Sequence, residues 1–175
     1  MGLVVGMKVY VLDSSSLMYG INLSVMCEDA EVWITYSILE EVKDKHQREL
    51  VEALILSGRV KVKEVPKSYM KVVDEVSMRV GEYGSLSDTD RELIALAMYA
   101  KNEGLKPVVY TDDYSIQNVL SYLGLEYSHF GTEGIKETWI WEFYCPACKR
   151  TFKFPTEDGL CPICGTKLKR YRKKL

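Results

Sequence analysis

Short apolar runs and stretches of helical spacing alternate along the chain from Lys8 to Tyr127. Lys8–Leu12 (KVYVL) is β-branched and apolar and stops at Asp13, the pattern of a buried strand. Leu17–Leu23 fits a short helix after a Ser-rich turn, and Val32–Thr35 reads as a second strand. From Ser37, a suitable N-cap, apolar residues at 38, 39, 42, 50, 51, 54 and 55 predict one long helix to Leu56. Gly58 ends it, and Arg59–Val65 alternates charged and apolar residues as an exposed or edge strand does. Pro66 opens another helix that runs to Gly81. Ser87 starts the next, strongly apolar at Leu93, Ile94, Leu96, Ala97 and Ala100. Pro107–Tyr110 is a third core strand, Tyr114–Leu123 a helix closed by Gly124, and Leu125–Tyr127 a last short strand. This alternation predicts an α/β fold, a parallel sheet with helices on both faces.

Composition adds bounds to that pattern. A chain of 175 residues that is 47% hydrophobic and 27% charged supports one packed domain and a small satellite. The expected division is an α/β domain at 1–130, a linker at 131–138, a metal ribbon at 139–168 and a basic tail at 169–175. No run of 18 apolar residues exists, so no membrane span is expected. Met1–Val11 lacks a basic n-region and a cleavage site, which points to a cytoplasmic protein, with Met7 as an alternative start. No Gly-rich phosphate loop, Ser-His-Asp order or nucleophile elbow occurs, and no organic cofactor is expected. His46, in a charged stretch, is expected to face solvent.

The formal net charge of −2 conceals a division. Residues 1–138 hold 14 Lys/Arg against 22 Asp/Glu, a net of −8, whereas residues 139–175 hold 9 against 3, a net of +6. The first part suits cations and the second a polyanion.

Four of the five cysteines fall in two knuckles, Cys145-Pro-Ala-Cys148 and Cys161-Pro-Ile-Cys164-Gly, twelve residues apart. That spacing predicts one structural Zn²⁺ in a small ribbon. A rubredoxin-like iron site uses similar knuckles, and a catalytic zinc is disfavoured because four cysteines leave no open position. Cys27 stands alone and reads as a small buried hydrophobe. Around the knuckles lie Lys149, Arg150 and Lys153, and after them the run Lys167, Lys169, Arg170, Arg172, Lys173, Lys174, interrupted by Tyr171. Such cations neutralise phosphates and an interleaved aromatic can stack on a base, so this segment is the candidate nucleic-acid-binding surface; a solvated tail is the alternative.

Carboxylates gather where elements end. Asp13 follows the first strand, Glu40 and Glu41 fall in the first turns of the predicted long helix, Asp88 and Asp90 open another helix, and Asp112 and Asp113 follow the third core strand. In an open parallel sheet ligands collect beyond the C-terminal strand ends, so three or four of these acids are expected to converge. Two carboxylates about 4 Å apart repel by roughly 4 kcal/mol at an effective dielectric of 20, a cost that Mg²⁺ or Mn²⁺ removes. Each acid also has a capping role open to it; Asp13 is the exception, because Ser14–Ser16 could cap the following helix without it.

The order V-L-D-S-S, L-E-E-V-K-D, L-S-D-T-D-R-E-L-I-A-L-A and V-Y-T-D-D-Y-S-I-Q-N-V resembles the PIN-domain nucleases. With the ribbon, the chain is similar to the PIN-plus-zinc-ribbon endonucleases that mature the 3′ end of small-subunit ribosomal RNA, in their compact archaeal form. The resemblance implies a PIN-like fold and an acidic quartet, Asp13, Glu41, Asp90 and Asp113, binding Mn²⁺ or Mg²⁺. It implies Asp88 and Asp112 as outer carboxylates, and Ser14 or Ser15 with Thr111 as hydrogen-bonding support. It further implies precursor small-subunit rRNA and the pre-small ribosomal subunit as partners. Two rivals remain: a toxin-type PIN ribonuclease acting on mRNA or tRNA, and a non-catalytic RNA-binding assembly factor.

Overall fold

The structure, a computed structural model, describes residues 6–18, 30–129, 139–152, 156 and 159–174. Cys27, Lys153 and the expected linker at 131–138 lie outside that set.

The strands predicted from short apolar runs form one parallel sheet of β1 (Lys8–Leu12), β2 (Glu31–Ile34), β3 (Val60–Val62), β4 (Lys106–Tyr110) and β5 (Glu126–Ser128). Their order is β3-β2-β1-β4-β5. The charged and apolar alternation around β3 matches its place on an edge. Between the strands run α1 (Ser14–Met18), α2 (Tyr36–Glu41), α3 (Lys45–Leu56), α4 (Lys67–Val80), α5 (Asp88–Asn102) and α6 (Tyr114–Tyr122). Right-handed crossovers place α1–α3 on one face and α4–α6 on the other, because the chain reverses direction across the sheet after β3. Helix contacts agree: α1 meets α2 and α3, and α4 meets α5 and α6. The core is the apolar content of β1, β2 and β4 with one stripe of each helix, including Val9, Val11, Ile34, Leu93, Ile94 and Leu120, all essentially inaccessible.

The long helix predicted from Ser37 to Leu56 is two helices. Val42 takes an extended conformation (ψ 94°) as the C-cap of α2, and the Asp44 side chain accepts a 2.9 Å hydrogen bond from the Gln47 amide, capping α3. The apolar spacing runs through the break because Ile38, Val42, Val51 and Leu54 are all buried whichever helix holds them. Thr35, not Ser37, caps α2 through the Ile38 amide.

At the other end, β6 (Trp139–Tyr144) is the centre of an antiparallel sheet with β7 (Thr151–Phe152) and β8 (Lys169–Lys174). The basic run expected as a tail beyond the ribbon is thus a strand of its sheet, paired from Tyr144↔Lys169 to Trp139↔Lys174. β6 also lies beside α4, which joins the ribbon to the α/β domain.

Candidate functional site

Strand order reverses between β1 and β4, the place where an open α/β sheet leaves a crevice at its C-terminal edge. The register pairs Leu12 with Tyr110, so Asp13 and Thr111 step off the sheet side by side, and the Asp13 amide donates to the Tyr110 carbonyl at 3.3 Å. Helix α5 runs back along β4, which returns its first turn, with Asp90, to the same edge.

Asp13 is nearly buried (9% exposed). Its Oδ1 accepts from Ser15 Oγ at 2.8 Å, the Ser16 amide at 2.6 Å and Ser16 Oγ at 2.5 Å. Asp13 therefore does cap α1, contrary to the expectation that the serines dispense with it: the Ser15 and Ser16 hydroxyls donate to the carboxylate, and so does the Ser16 amide. Ser16 is the support residue that sequence reasoning missed, and Ser14 makes no such bond to Asp13 among the described residues. The signal was present, since Asp is among the preferred N-cap residues and its carboxylate reaches the amide two or three residues on.

Asp90 behaves alike. Ser87 donates its amide and hydroxyl to Asp90 Oδ2 at 2.8 and 2.7 Å, and the Asp90 amide returns a bond to Ser87 Oγ at 3.1 Å, a reciprocal capping box. Asp113 caps α6, its Oδ1 accepting from the amides of Ser115 (2.7 Å) and Ile116 (3.3 Å). Thr111 is fully buried and fixes that turn: its Oγ1 accepts from the Asp113 amide at 3.1 Å, and its carbonyl accepts from Gln117 at 2.9 Å. Asp112 is half-buried beside it.

The three aspartates share one design. Each sits at a helix start, uses one oxygen for capping bonds and keeps its second oxygen outside them. The positive ends of the helix dipoles favour carboxylates there, worth roughly 0.3–1 kcal/mol apiece. Glu40 and Glu41 are different. Both are exposed and end α2, so the dipole opposes them. Ser37, one turn before Glu41 on the same face, donates to Glu92 of α5 at 2.6 Å, which ties α2 to the helix carrying Asp90. Asp88 is engaged elsewhere, in an ion pair with Arg91.

The donor chemistry fits hard divalent cations, which take carboxylate oxygens. Strand and helix ends bring the acids to one edge, but among the described residues no three of them bring their oxygens within 4.8 Å of one another as the cysteine sulfurs do.

Cys145, Cys148, Cys161 and Cys164 place all four sulfurs within 4.8 Å. The pairs Cys145–Cys164 and Cys148–Cys161 are 3.4 and 3.6 Å apart, far from a disulfide bond and close to the roughly 3.8 Å edge of a tetrahedron with 2.3 Å Zn–S bonds. The cluster can hold a metal ion. Each knuckle closes on itself: Lys149 and Gly165 amides donate to the Cys145 and Cys161 carbonyls at 3.0 and 2.8 Å. Hydrogen bonds with the Thr166 side chain and backbone, then with Cys145, lower the Cys164 thiol to about 6. At Cys148 a hydrogen bond from the Arg150 backbone acts downward, but burial and the other three thiols outweigh it and push the group up to about 11.

The residue after each knuckle needs a left-handed backbone, φ 69° at Gly165 and 59° at Lys149. For a lysine that conformation costs about 1 kcal/mol. Lys149→Gly is expected to gain 0.5–1 kcal/mol, roughly two- to fivefold in metal retention against a chromophoric chelator. Unchanged retention would show that the strain is offset elsewhere in the loop.

Lys149, Arg150, Lys167, Lys169 and Arg170 are exposed. Tyr171 is engaged within the ribbon, with its ring 6.0 Å from that of Tyr144 and its hydroxyl donating to Glu142. His46 is exposed, as expected. Among the described residues no helix is long and apolar enough to cross a membrane.

A family model described as the PIN domain of ribonuclease matches residues 10–99. The chain is 39% identical to Endoribonuclease Nob1 of Pyrococcus abyssi over 91% of both chains. It is 35% identical to Endoribonuclease Nob1 of Methanocaldococcus jannaschii, over 94% of this chain and 78% of that one. It is also 31% identical to Ribonuclease VapC1 of Thermoplasma acidophilum, over 95% of this chain and 79% of that one.

Proposed function

The chain belongs to the PIN-domain endoribonucleases of the Nob1 family, and from that premise we propose that it cuts precursor small-subunit rRNA at its 3′ end. The observation that carries this reading is the shared anchoring of Asp13, Asp90 and Asp113 at one sheet edge, in a chain that also bears a basic four-cysteine ribbon.

In this reading Asp13, Glu41, Asp90 and Asp113 hold Mn²⁺ or Mg²⁺, which when bound supplies charge neutralisation at the phosphodiester and a more acidic water. Ser15 and Ser16 keep the Asp13 carboxylate from rotating, and Thr111 sets the turn from which Asp113 projects. The second oxygen of each aspartate is then oriented without a large conformational cost. Asp112 acts as an outer carboxylate, while Asp88 is held by Arg91. The cysteines hold structural Zn²⁺, and the exposed cations of the ribbon grip RNA phosphates in the cytoplasm, on the pre-small ribosomal subunit.

The relative named Ribonuclease VapC1 matches nearly the whole chain, which favours a second reading, a toxin-type nuclease of mRNA or tRNA. Incubation with Mn²⁺ and three RNAs, one spanning the mature 3′ end of small-subunit rRNA, one tRNA and one mRNA fragment, separates the two. One cut in the rRNA fragment, with the others left intact, is expected. Preferred cleavage of tRNA or mRNA would replace the rRNA reading.

A further inference from the structure

Glu41 is the acid of the proposed quartet that its own helix does not favour. It closes α2, a helix of six residues, where the dipole opposes a carboxylate. Asp13, Asp90 and Asp113 are each fixed by capping bonds. Among the described residues no hydrogen bond or ion pair holds the exposed Glu41 side chain, so its place depends on how α2 itself is held.

Two side-chain bonds hold α2. Near its end the Arg48 guanidinium, from α3 on the same face of the sheet, donates to the Leu39 carbonyl at 3.0 Å. At its start Ser37 Oγ donates to Glu92 Oε2 of α5 at 2.6 Å. That bond is of another kind. α2 lies on the face of α1–α3 and α5 on the opposite one, so Ser37 and Glu92 meet across the sheet edge that carries the acids. Their separation falls in the range of charge-assisted O–H···O⁻ bonds, and both side chains are half-buried, where such a bond gains strength. Neither has another polar partner among the described residues.

The bond serves neither helix alone. α2 is capped by Thr35, and α5 has its own capping box. What it sets is the position of one helix against the other. Ser37 and Glu41 are four residues apart and share a face of α2, while Asp90 precedes Glu92 by two residues on α5. Two acids on separate helices serve one cation site only while the helices keep their spacing, and small misplacements cost much.

We propose that Ser37 and Glu92 are a positioning pair that sets Glu41 against Asp90 for binding of the divalent cation. The proposal rests on the quartet reading and adds to it a carboxylate that works through Ser37 and Glu41, without being a ligand itself.

The test uses zinc-loaded protein and measures Mn²⁺ affinity without RNA, by EPR of the free ion, beside kcat and KM for the rRNA fragment. Ser37→Ala and Glu92→Ala should each weaken Mn²⁺ binding on the order of tenfold and lower kcat at limiting Mn²⁺ to match, with KM for RNA little changed. The double variant should be no worse than either single one, since all three lose the same bond. Glu92→Gln should keep wild-type affinity, because its carbonyl oxygen accepts the Ser37 hydroxyl. In a Glu41→Gln background, Ser37→Ala should cost no further Mn²⁺ affinity. Wild-type affinity in Ser37→Ala, or an equal further loss in the Glu41→Gln background, would overturn the positioning role. Glu92→Gln as weak as Glu92→Ala would overturn it too, by making Glu92 a cation ligand. A wild type that neither binds Mn²⁺ nor cuts RNA would instead remove the quartet reading. Hydrogen exchange at the Leu39 and Val42 amides of α2 then decides whether the bond holds the helix: faster exchange in Ser37→Ala supports it and unchanged exchange overturns it.

Discussion

Asp13→Asn should lower RNA cleavage at saturating Mn²⁺ by at least about 100-fold, the scale of loss when one electrostatic contact to a reacting centre is removed. The fold should survive. An asparagine retains a carbonyl oxygen that can accept from the Ser16 amide and the two hydroxyls now bonded to Oδ1. The stability cost should stay near 1 kcal/mol, a typical net value for one such interaction, visible as a shift of a few degrees in Tm. The amide group replaces the second oxygen, which is the one lying outside the capping set. Cleavage by Asp13→Asn at the wild-type rate would leave Asp13 as a cap of α1 and nothing more. Asp13→Ala is a poorer probe, because it removes the cap together with the charge.

The second large effect concerns the ribbon. Cys161→Ala removes a sulfur that is 2% exposed and leaves three ligands. A four-cysteine zinc site contributes on the order of 10–16 kcal/mol to folding of a unit this size, more than its small apolar core can replace. The bonds from Cys145 to Arg150 and from Cys161 to Thr166 should lose hydrogen-exchange protection, while amides of β1 and β4 keep theirs. RNA affinity should fall at least tenfold, and its salt dependence should flatten as the exposed cations lose their common scaffold. Retained affinity with an unfolded ribbon would place RNA binding on the α/β domain. The same site gives a pH test. A metal displaces protons from thiols, so retention must weaken as pH falls, steeper than about tenfold per unit because more than one proton is released. Cys164, lowered to about 6, holds off protons further down the pH scale than Cys148, pushed up to about 11.

Deleting residues 139–175 is a blunter experiment than either. β6 lies along α4, so the deletion also uncovers part of the α/β domain. Single cysteine or lysine substitutions separate RNA affinity from folding more cleanly.

Local chemistry made much of this protein readable in one dimension. The two knuckles are closed by hydrogen bonds within five residues, so their spacing alone carries the metal site. The box of Ser87 and Asp90, the cap at Asp113 and the stops at Gly81 and Gly124 are likewise short-range. Strands β1, β2 and β4 were legible because a strand buried on both faces must be apolar throughout. Other features depend on partners distant in sequence. The break at Val42–Asp44 hides under an unbroken apolar spacing, since the core accepts both helices through the same residues. Lys169–Lys174 has no strand signature of its own; pairing with β6 makes it one. The acids were nameable from the sequence as strand and helix ends. That Asp13 and Asp113 leave the sheet from neighbouring strands, with the first turn of α5 and its Asp90 returned to the same edge, was decided only by the sheet order β3-β2-β1-β4-β5. Register between parallel strands joined by long crossovers is fixed where residues far apart in sequence pack the sheet against its helices.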